Sequence, residues 1–295
     1  MEILNRFYEL LGLNTPDTPM YVKIMVPVVF AVTAIVFTLY IYNFVKNIAK
    51  GTKSLVKCTV NITSGLMSVA RGIRISKDQT LTDSQIRRIA IGALYAYQQG
   101  GYVDALKMDI NPIRLNTVLG DWWGINNRED ALNTLQYLSQ GAYSIVFPAI
   151  YKAFTTVGVL NQKTIITEST GGDDELCTAT WDKLKNLKRS YDGLVANGIV
   201  KDKDDMERIG VMGWDAGRLN FIARACLEKG YISEQECWQY IDRADDMAHI
   251  STHSWRDFAN SYMLGRALWN GETNMSALAE DLLSKPESPW VMLKW

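Results

Sequence analysis

The sequence predicts an all-α protein, a multi-helix globular domain attached to one N-terminal transmembrane helix. Helix-capping residues and helix-ending glycines recur along the chain after Leu81, and no series of alternating strand patterns accompanies them. An uncharged apolar run lies near the N-terminus. With 295 residues, of which 47% are hydrophobic and 21% charged, the chain is long and apolar enough to bury a sizeable core.

The apolar run predicts a membrane anchor. From Ile24 to Val45 the chain carries no charged residue, and about 20 apolar residues in a helix span the core of a bilayer. Tyr40 and Tyr42 lie near one end, where interfacial aromatic residues are common. The run is too long for a signal peptide, and no small-residue cleavage site follows it. We therefore predict a transmembrane helix within residues 21–45.

Positive charge on the two sides of this run predicts its orientation. Four lysines between residues 46 and 57 follow the run, whereas Arg6 and Lys23 are the basic residues before it. Because Lys and Arg concentrate on the cytoplasmic side, we expect the large C-terminal part to lie in the cytoplasm. The four cysteines form no C-x-x-C pair and are interpreted as free thiols, which agrees with a reducing compartment.

The chain is predicted to consist of five parts. Lysines interleaved with apolar residues follow the anchor and indicate a juxtamembrane linker, which either lies along lipid headgroups or continues as a helix or solvated chain. The boundaries are a short N-terminal segment at 1–20, the transmembrane helix at 21–45, the basic amphipathic linker at 46–78, the helical domain at 79–285 and a C-terminal tail at 286–295.

Capping patterns predict the first helices of the domain. Thr82 and Gln85 form a capping box for a helix that ends at Gly100, and Asn127 can cap the next one. A further apolar helix contains Pro148 and is expected to be kinked or broken there. The polar stretch 161–172 is expected to be a loop with at most a short extended segment.

The helices of the second half begin and end more clearly. Acidic residues 173–175 lie at the start of a helix, where they favour the helix dipole, and this helix runs towards Gly198. Four more helices follow, one from Trp214 to about Lys229, one after a capping box of Ser233 and Glu236, one that begins at Ser254 and one over residues 275–285.

The charge balance excludes one class of partner. The chain has 31 Lys and Arg against 32 Asp and Glu, a formal net charge of -1, which leaves no electrostatic footprint for nucleic acid. The sequence contains no Walker pattern, no G-x-S-x-G elbow and no nucleotide fingerprint. We expect neither a nucleic-acid partner nor a cofactor.

The two histidines of the chain raise the question of a metal site. His249 and His253 are four residues apart, the spacing of two ligands on one helix. In a zincin a glutamate follows the first histidine, and this chain has Ile250 there. Ser254 fits a helix N-cap, which places His253 before a new helix. We therefore predict helix ends and loop packing here and no metal.

A pair of charged residues predicts either a pocket or a buried network. Asp215 and Arg218 lie three residues apart on one helical face and can form an ion pair. Arg266 lies on a later helix, four residues after Tyr262. The arrangement suits an anion-binding or acid–base pocket, or a buried network that sets helix register. No nucleophile–base pair accompanies it, which favours the network; in an enzyme, Asp215, Arg218 and Arg266 would be the catalytic candidates.

Large residues on one helix face indicate a packing surface. Trp255, Phe258, Tyr262, Arg266 and Trp269 follow helical spacing, which is more typical of a core face than of a cofactor site. Arg266 is expected to pair with Asp215 or Tyr262. Trp122 and Trp123 are also expected in the core, with a recognition surface as the alternative.

The last third resembles a known family. It reads Gly213-Trp214-Asp215-x-x-Arg218, then Ala223-Arg224, then Gly230-Tyr231-Ile232-Ser233-x-x-Glu236-x-Trp238, then Ser254-Trp255-x-x-Phe258-x-x-Ser261-Tyr262-x-x-Gly265-Arg266-x-x-Trp269. This pattern is similar to the bacterial domain-of-unknown-function family 1266 over roughly residues 115–270. The candidate cluster taken from the motif is Trp214, Asp215, Arg218, Arg224, Trp255, Tyr262, Arg266 and Trp269.

The resemblance implies a bacterial source and an all-α domain, and it implies no activity. A leucine-rich helix in the family is often followed by Gly-His-Arg, whereas residues 141–143 read Gly-Ala-Tyr here. We predict a helical protein anchored in the bacterial inner membrane that binds another protein in a regulatory, envelope-associated or immunity-type role. The alternative is an enzyme acting on an anionic substrate, and a weaker one is a membrane-perturbing effector.

Overall fold

A computed structural model describes residues 72–295, which fold into helices joined by short loops. Within this range the only β pairing is an isolated bridge between Arg74 and Tyr102, so the all-α class is confirmed for these residues. The predicted segments at 1–20 and 21–45, with the anchor Ile24–Val45, and most of the linker at 46–78 lie outside the described residues. No helix of residues 72–295 is long and apolar enough to cross a membrane.

The helices of the described chain vary from one turn to six. In chain order they are α1 (Asp83–Ile89), α2 (Ala93–Gln99), α3 (Pro112–Asn116), α4 (Arg128–Ser139), α5 (Phe147–Thr155), α6 (Val159–Ser169), α7 (Asp174–Ala196), α8 (Lys203–Ile209), α9 (Met212–Glu228), α10 (Glu234–Ser251), α11 (Trp255–Asn270), α12 (Ser276–Ser284) and α13 (Pro289–Met292). A 3₁₀ turn (Ala90–Gly92) joins α1 to α2, and a π-helical turn (Thr117–Trp122) follows α3.

Helix α9 forms the centre of the fold. All residues from 213 to 226 are buried, because α2, α4, α10 and α11 pack around the helix. A helix in this position is normally apolar on every side, yet α9 also buries Asp215, Arg218, Asn220 and Arg224. Each of these side chains therefore needs a partner inside the protein.

Glycines bring α9 and α11 into close contact. A Cβ atom added at Gly265 would overlap the Cβ of Trp214, and one at Gly217 would lie 2.7 Å from the Tyr262 ring. Because these positions lack a side chain, the two helix backbones can approach closely. The approach places the rings of Trp214 and Tyr262 edge to face, with centroids 5.0 Å apart.

Most predicted helix starts are confirmed. The capping boxes of Thr82 and Ser233 are formed, and the side chains of Asn127 and Ser254 cap α4 and α11. The helix predicted from Trp214 to about Lys229 agrees with α9 within two residues at each end.

One local prediction is wrong, and a second is confirmed in one of its two forms. The stretch 161–172 is not a loop, because most of it belongs to α6. Its Thr and Ile residues lower helix propensity only slightly, and burial of Gln162 and Ile166 between neighbouring helices outweighs that cost. The apolar stretch around Pro148 is broken and not kinked: residues 142–146 form turns, α5 begins at Phe147, and the proline occupies its first turn, where the missing N–H is harmless.

Residues 286–295 pack onto the domain. Trp290 is buried in α13, donates its Nε1–H to the Ala90 carbonyl at 2.8 Å, and stacks on Trp255 with centroids 5.2 Å apart. Trp295 stacks on His249, with centroids 4.4 Å apart. The C-terminal residues therefore complete the aromatic core at the start of α11.

The thiols of the described residues are free, as predicted. Cys177 is half-buried, whereas Cys226 and Cys237 are buried on α9 and α10. Burial raises the pKa of both buried thiols to about 12, so they stay protonated and behave as small apolar side chains. Cys58 lies outside the described residues.

Candidate functional site

Asp215 is the centre of a saturated hydrogen-bond network. The side chain is fully buried in the first turn of α9. Nη2 of Arg218 donates to Oδ1 at 2.5 Å, while the amides of Tyr143 and Ser144 donate to Oδ2 at 3.0 and 2.8 Å. The Ser144 hydroxyl also donates to Oδ2, at 2.8 Å. Both oxygens are thus occupied by protein donors, and the carboxylate has no position open for a substrate.

Arg218 lies among aromatic rings. Its Cζ is 4.6 Å from the centroid of Trp214, 4.7 Å from that of Tyr143 and 5.8 Å from that of Trp123. Cation–π contacts of this kind gain strength when water is excluded. Burial raises the pKa of Tyr143 to about 12 although the Arg218 charge opposes the rise, so this phenol is neutral at physiological pH.

Arg266 forms no ion pair with Asp215, one of the two partners predicted from the sequence. Its Nε donates to Asn274 Oδ1 at 3.3 Å, and its Nη2 lies 3.5 Å from Glu272 Oε2, an ion pair without a hydrogen bond. Both partners follow Gly271, whose left-handed backbone turns the chain back along α11. The Arg266 charge does reach Tyr262, whose pKa burial raises and Arg266 lowers.

Two residues at the centre of this region were missed by the sequence reasoning. Tyr95 on α2 accepts a hydrogen bond from Trp123 Nε1 at 3.1 Å. Arg114 on α3 lies 4.5 Å from the centroid of Trp122 and donates from Nε to Gln99 Oε1 at 2.7 Å. Both residues lie about a hundred or more positions before α9, and no pattern of spacing links them to it.

Three guanidinium groups act on the hydroxyl of Tyr95. Burial raises its pKa, whereas the charges of Arg266, Arg218 and Arg114 all lower it. We call the assembly the arginine–aromatic cluster. It comprises Arg114, Arg218, Arg266, Tyr95, Tyr143, Tyr262, Trp123, Trp214 and Trp269.

Two residues of the family motif lie elsewhere. Arg224, further along α9, is completely buried and donates from Nη2 to the carbonyls of Tyr102 and Ala105 at 2.7 and 2.6 Å. Burial lowers its pKa to about 10. Trp255 belongs to the C-terminal aromatic core and donates from Nε1 to the Leu293 carbonyl at 2.9 Å. The motif residues therefore serve three separate places in the fold.

The histidines lie at helix ends. His249 is in the last turn of α10 with Nδ1 2.9 Å from the Asp245 carbonyl, and His253 is exposed just before the Ser254 cap. The Asp245 carboxylate accepts two hydrogen bonds from Arg87, both at 2.8 Å. Across residues 72–295, no group of three or more His, Cys, Asp or Glu side chains could hold a metal ion.

The fold and cluster define an α-helical domain built around one buried helix that carries charged side chains. Residues 118–295, more than half of the chain, match the family described as Protein of unknown function (DUF1266). The chain belongs to this family, and the match extends beyond the predicted range of 115–270 to the last residue.

The chain is similar in sequence to the Uncharacterized protein YbeU of Escherichia coli (strain K12). The two are 23% identical over 151 residues, which make up 51% of this chain. The chain covers 56% of the length of that relative. No solved structure matches the chain.

Proposed function

We propose that this chain is a membrane-anchored, non-catalytic module that binds another protein. In this proposal residues 24–45 cross the bacterial inner membrane once and the helical domain lies in the cytoplasm. The uncharged run and the lysines that follow it support the anchor and its orientation. The family description assigns no activity that would compete with this proposal.

The observation that carries the binding role is an exposed apolar turn. Val157 lies between α5 and α6, Val159 and Leu160 are the first residues of α6, and their exposed fractions are 88%, 57% and 80%. Single exposed apolar residues are common on protein surfaces, but contiguous ones mark interaction sites more often. We call these three residues the apolar tip. Exposed Lys152 and Lys163 flank the apolar tip. Their charges would keep the tip hydrated when no partner is bound.

The enzyme alternative receives less support. A general acid or base must reach the substrate or a bridging water. Asp215 is fully buried and its two oxygens already accept hydrogen bonds from four donor atoms. These contacts favour a role in holding the loop after α4 against α9.

Site-specific photo-crosslinking of the full chain in cells tests the binding role. A photoreactive residue in place of Leu160 is expected to give a discrete crosslinked product, because the tip would be covered by the partner. The matched control position is Lys185, an exposed residue of α7. Leu160→Asp, which places a charge in the apolar contact, is expected to abolish copurification of the crosslinked partner. Equal products at both positions, or none at Leu160, would contradict the binding surface.

A separate experiment tests the anchor. Val36→Arg puts a charge in the middle of the apolar run, and such a charge is unfavourable by about 2.5–3.5 kcal/mol on insertion scales. The wild-type chain is expected to stay in membranes washed with alkaline carbonate, and Val36→Arg to be partly released. Thr33→Ser is the matched control. Release of the wild-type chain by the wash would contradict a spanning anchor.

A further inference from the structure

Buried donors in the arginine–aromatic cluster have no acceptor. Among residues 72–295, the unpaired buried atoms include Nη2 of Arg266, Nη2 of Arg114 and Nε1 of Trp214. Arg266 and Trp214 are each only 4% exposed. Buried polar groups are nearly always hydrogen-bonded in folded proteins. Since all three atoms are donors, a group with only acceptors would satisfy them.

The cluster also carries more positive than negative charge, which favours an anion as the ligand. Asp215 already accepts hydrogen bonds from Arg218 and from the loop after α4. Oε2 of Glu272 lies 3.5 Å from Nη2 of Arg266, and this Nη2 makes no hydrogen bond among the described residues. Lys183 adds a further positive charge, with Nζ 5.1 Å from the centroid of Tyr143. With Asp182, whose charge acts on Lys183, three guanidiniums and one ammonium thus face three carboxylates, so one positive charge is in excess.

One partly exposed aromatic side chain lies beside two of these donors. Trp269 lies 5.7 Å from the Arg266 guanidinium and 6.0 Å from the ring of Trp214, measured to ring centroids. Of the five large residues on this face of α11, Trp269 is the exposed one, with 39% of its surface accessible to solvent. Since Trp269 is the exposed residue of the arginine–aromatic cluster, a ligand would approach Arg266 and Trp214 past this indole.

We propose that Arg266 and Trp214, with Arg114 and Arg218 around them, bind a small oxyanion of the carboxylate or phosphate class beneath Trp269. A guanidinium offers paired N–H donors that match two oxygens of such a group, and an indole N–H adds a third donor. This site is independent of the proposed protein-binding role, because the apolar tip contributes nothing to it.

Titration of the full chain in detergent micelles with two probes tests the site. Inorganic phosphate and acetate are compared with chloride at equal ionic strength, and the thermal midpoint and tryptophan fluorescence are followed. A ligand that binds only the folded protein raises the midpoint with a saturating dependence on its concentration. Exclusion of phosphate from the protein surface raises it without saturation and in every variant. The probe that saturates identifies the class of oxyanion.

Variants show which residues bind the anion. In Arg266→Gln and Arg114→Gln, the anion concentration that half-saturates the rise of the thermal midpoint is expected to increase at least tenfold. Arg243→Gln is the matched control, since it removes an exposed guanidinium that binds the Ser139 carbonyl on α4, and it should respond as the wild type does. Glu272→Gln is expected to bind more tightly, because it removes the carboxylate that competes for Arg266.

Two results would overturn the site. One is a wild-type chain with no saturating response to either probe. The other is a saturating response of equal strength in Arg114→Gln and the wild type, which places the anion elsewhere. Arg114 is only half-buried, so this comparison decides the question even if Arg266→Gln fails to fold.

Discussion

Charged side chains on α9 bind backbone groups of segments far away in sequence. Asp215 binds backbone amides of the loop after α4, and Arg224 binds carbonyls of the loop after α2. Glu228 accepts hydrogen bonds from the amides of Met108 and Ile110 at 2.8 and 3.0 Å. These side chains fix two loops that have little regular structure of their own.

Glu236 makes stability depend on pH in the acid range. Hydrogen bonds from Arg128, and then from the backbone and hydroxyl of Ser233, lower its pKa from 4.5 to about 2. Because the pKa is lower in the folded protein, the carboxylate stabilises the fold above about pH 4.5, and this contribution disappears as the pH falls towards 2. We expect Glu236→Gln to show a flatter decline of unfolding free energy between pH 4.5 and pH 2. An equal decline in both proteins would contradict this assignment.

At the scale of helices, the contact between α9 and α11 depends on glycine. Gly265→Ala would place a methyl group on Trp214 and is expected to destabilise the fold by about 1–3 kcal/mol through overpacking. Gly193→Ala on α7 is the matched control, because the nearest atom to its added methyl group lies 3.6 Å away. That change is expected to be neutral or stabilising by up to about 1 kcal/mol. Urea unfolding measures both, and equal effects would contradict the close approach.

Helix ends were predictable because caps are local. Thr82, Asn127, Ser233 and Ser254 each bind an amide within three residues, so the sequence alone reveals them. Helix α6 was not predictable in this way, since Gly158 precedes it without a side-chain cap and packing against α5 and α7 stabilises it.

The site was predictable only in part. The motif spacing correctly placed Asp215 beside Arg218, three residues apart on one helix. The partners of Arg266 come from the turn after Gly271, and Tyr95 and Arg114 come from helices early in the domain. Contacts between distant segments depend on the tertiary fold, and periodicity within one segment carries no information about them.

At the scale of the whole molecule, the two ends of the described chain are joined. The buried indole of Trp290 contacts the 3₁₀ turn after α1, some two hundred residues away. Trp290→Ala is expected to lower the unfolding free energy by about 3–5 kcal/mol. The midpoint of the unfolding transition should fall, and the transition should remain single. Met292→Ala, at an exposed residue of the same short helix, is expected to change stability by less than about 0.5 kcal/mol. Separate transitions for the helices and the C-terminal residues would contradict one cooperative domain.

The buried Asp215 carboxylate contrasts with the exposed apolar tip. If the Asp215 network holds the fold together, Asp215 is not available as an acid or base, and the apolar tip is the more accessible feature. If the network belongs to a reactive site, Asp215 is the functional group and its loss should affect activity more than stability. The unfolding free energy of an Asp215 variant therefore separates the two roles.

The most direct test is the unfolding free energy of Asp215→Asn in the full chain, followed by tryptophan fluorescence in urea. Removing the charge leaves Arg218 buried without its partner and replaces an acceptor by an amide that faces backbone N–H groups, so a loss of about 3–5 kcal/mol is predicted. Asp182→Asn breaks an exposed ion pair with Lys185 and should cost less than about 1 kcal/mol. An Asp215→Asn protein as stable as the wild type would contradict the structural role and favour a reactive carboxylate.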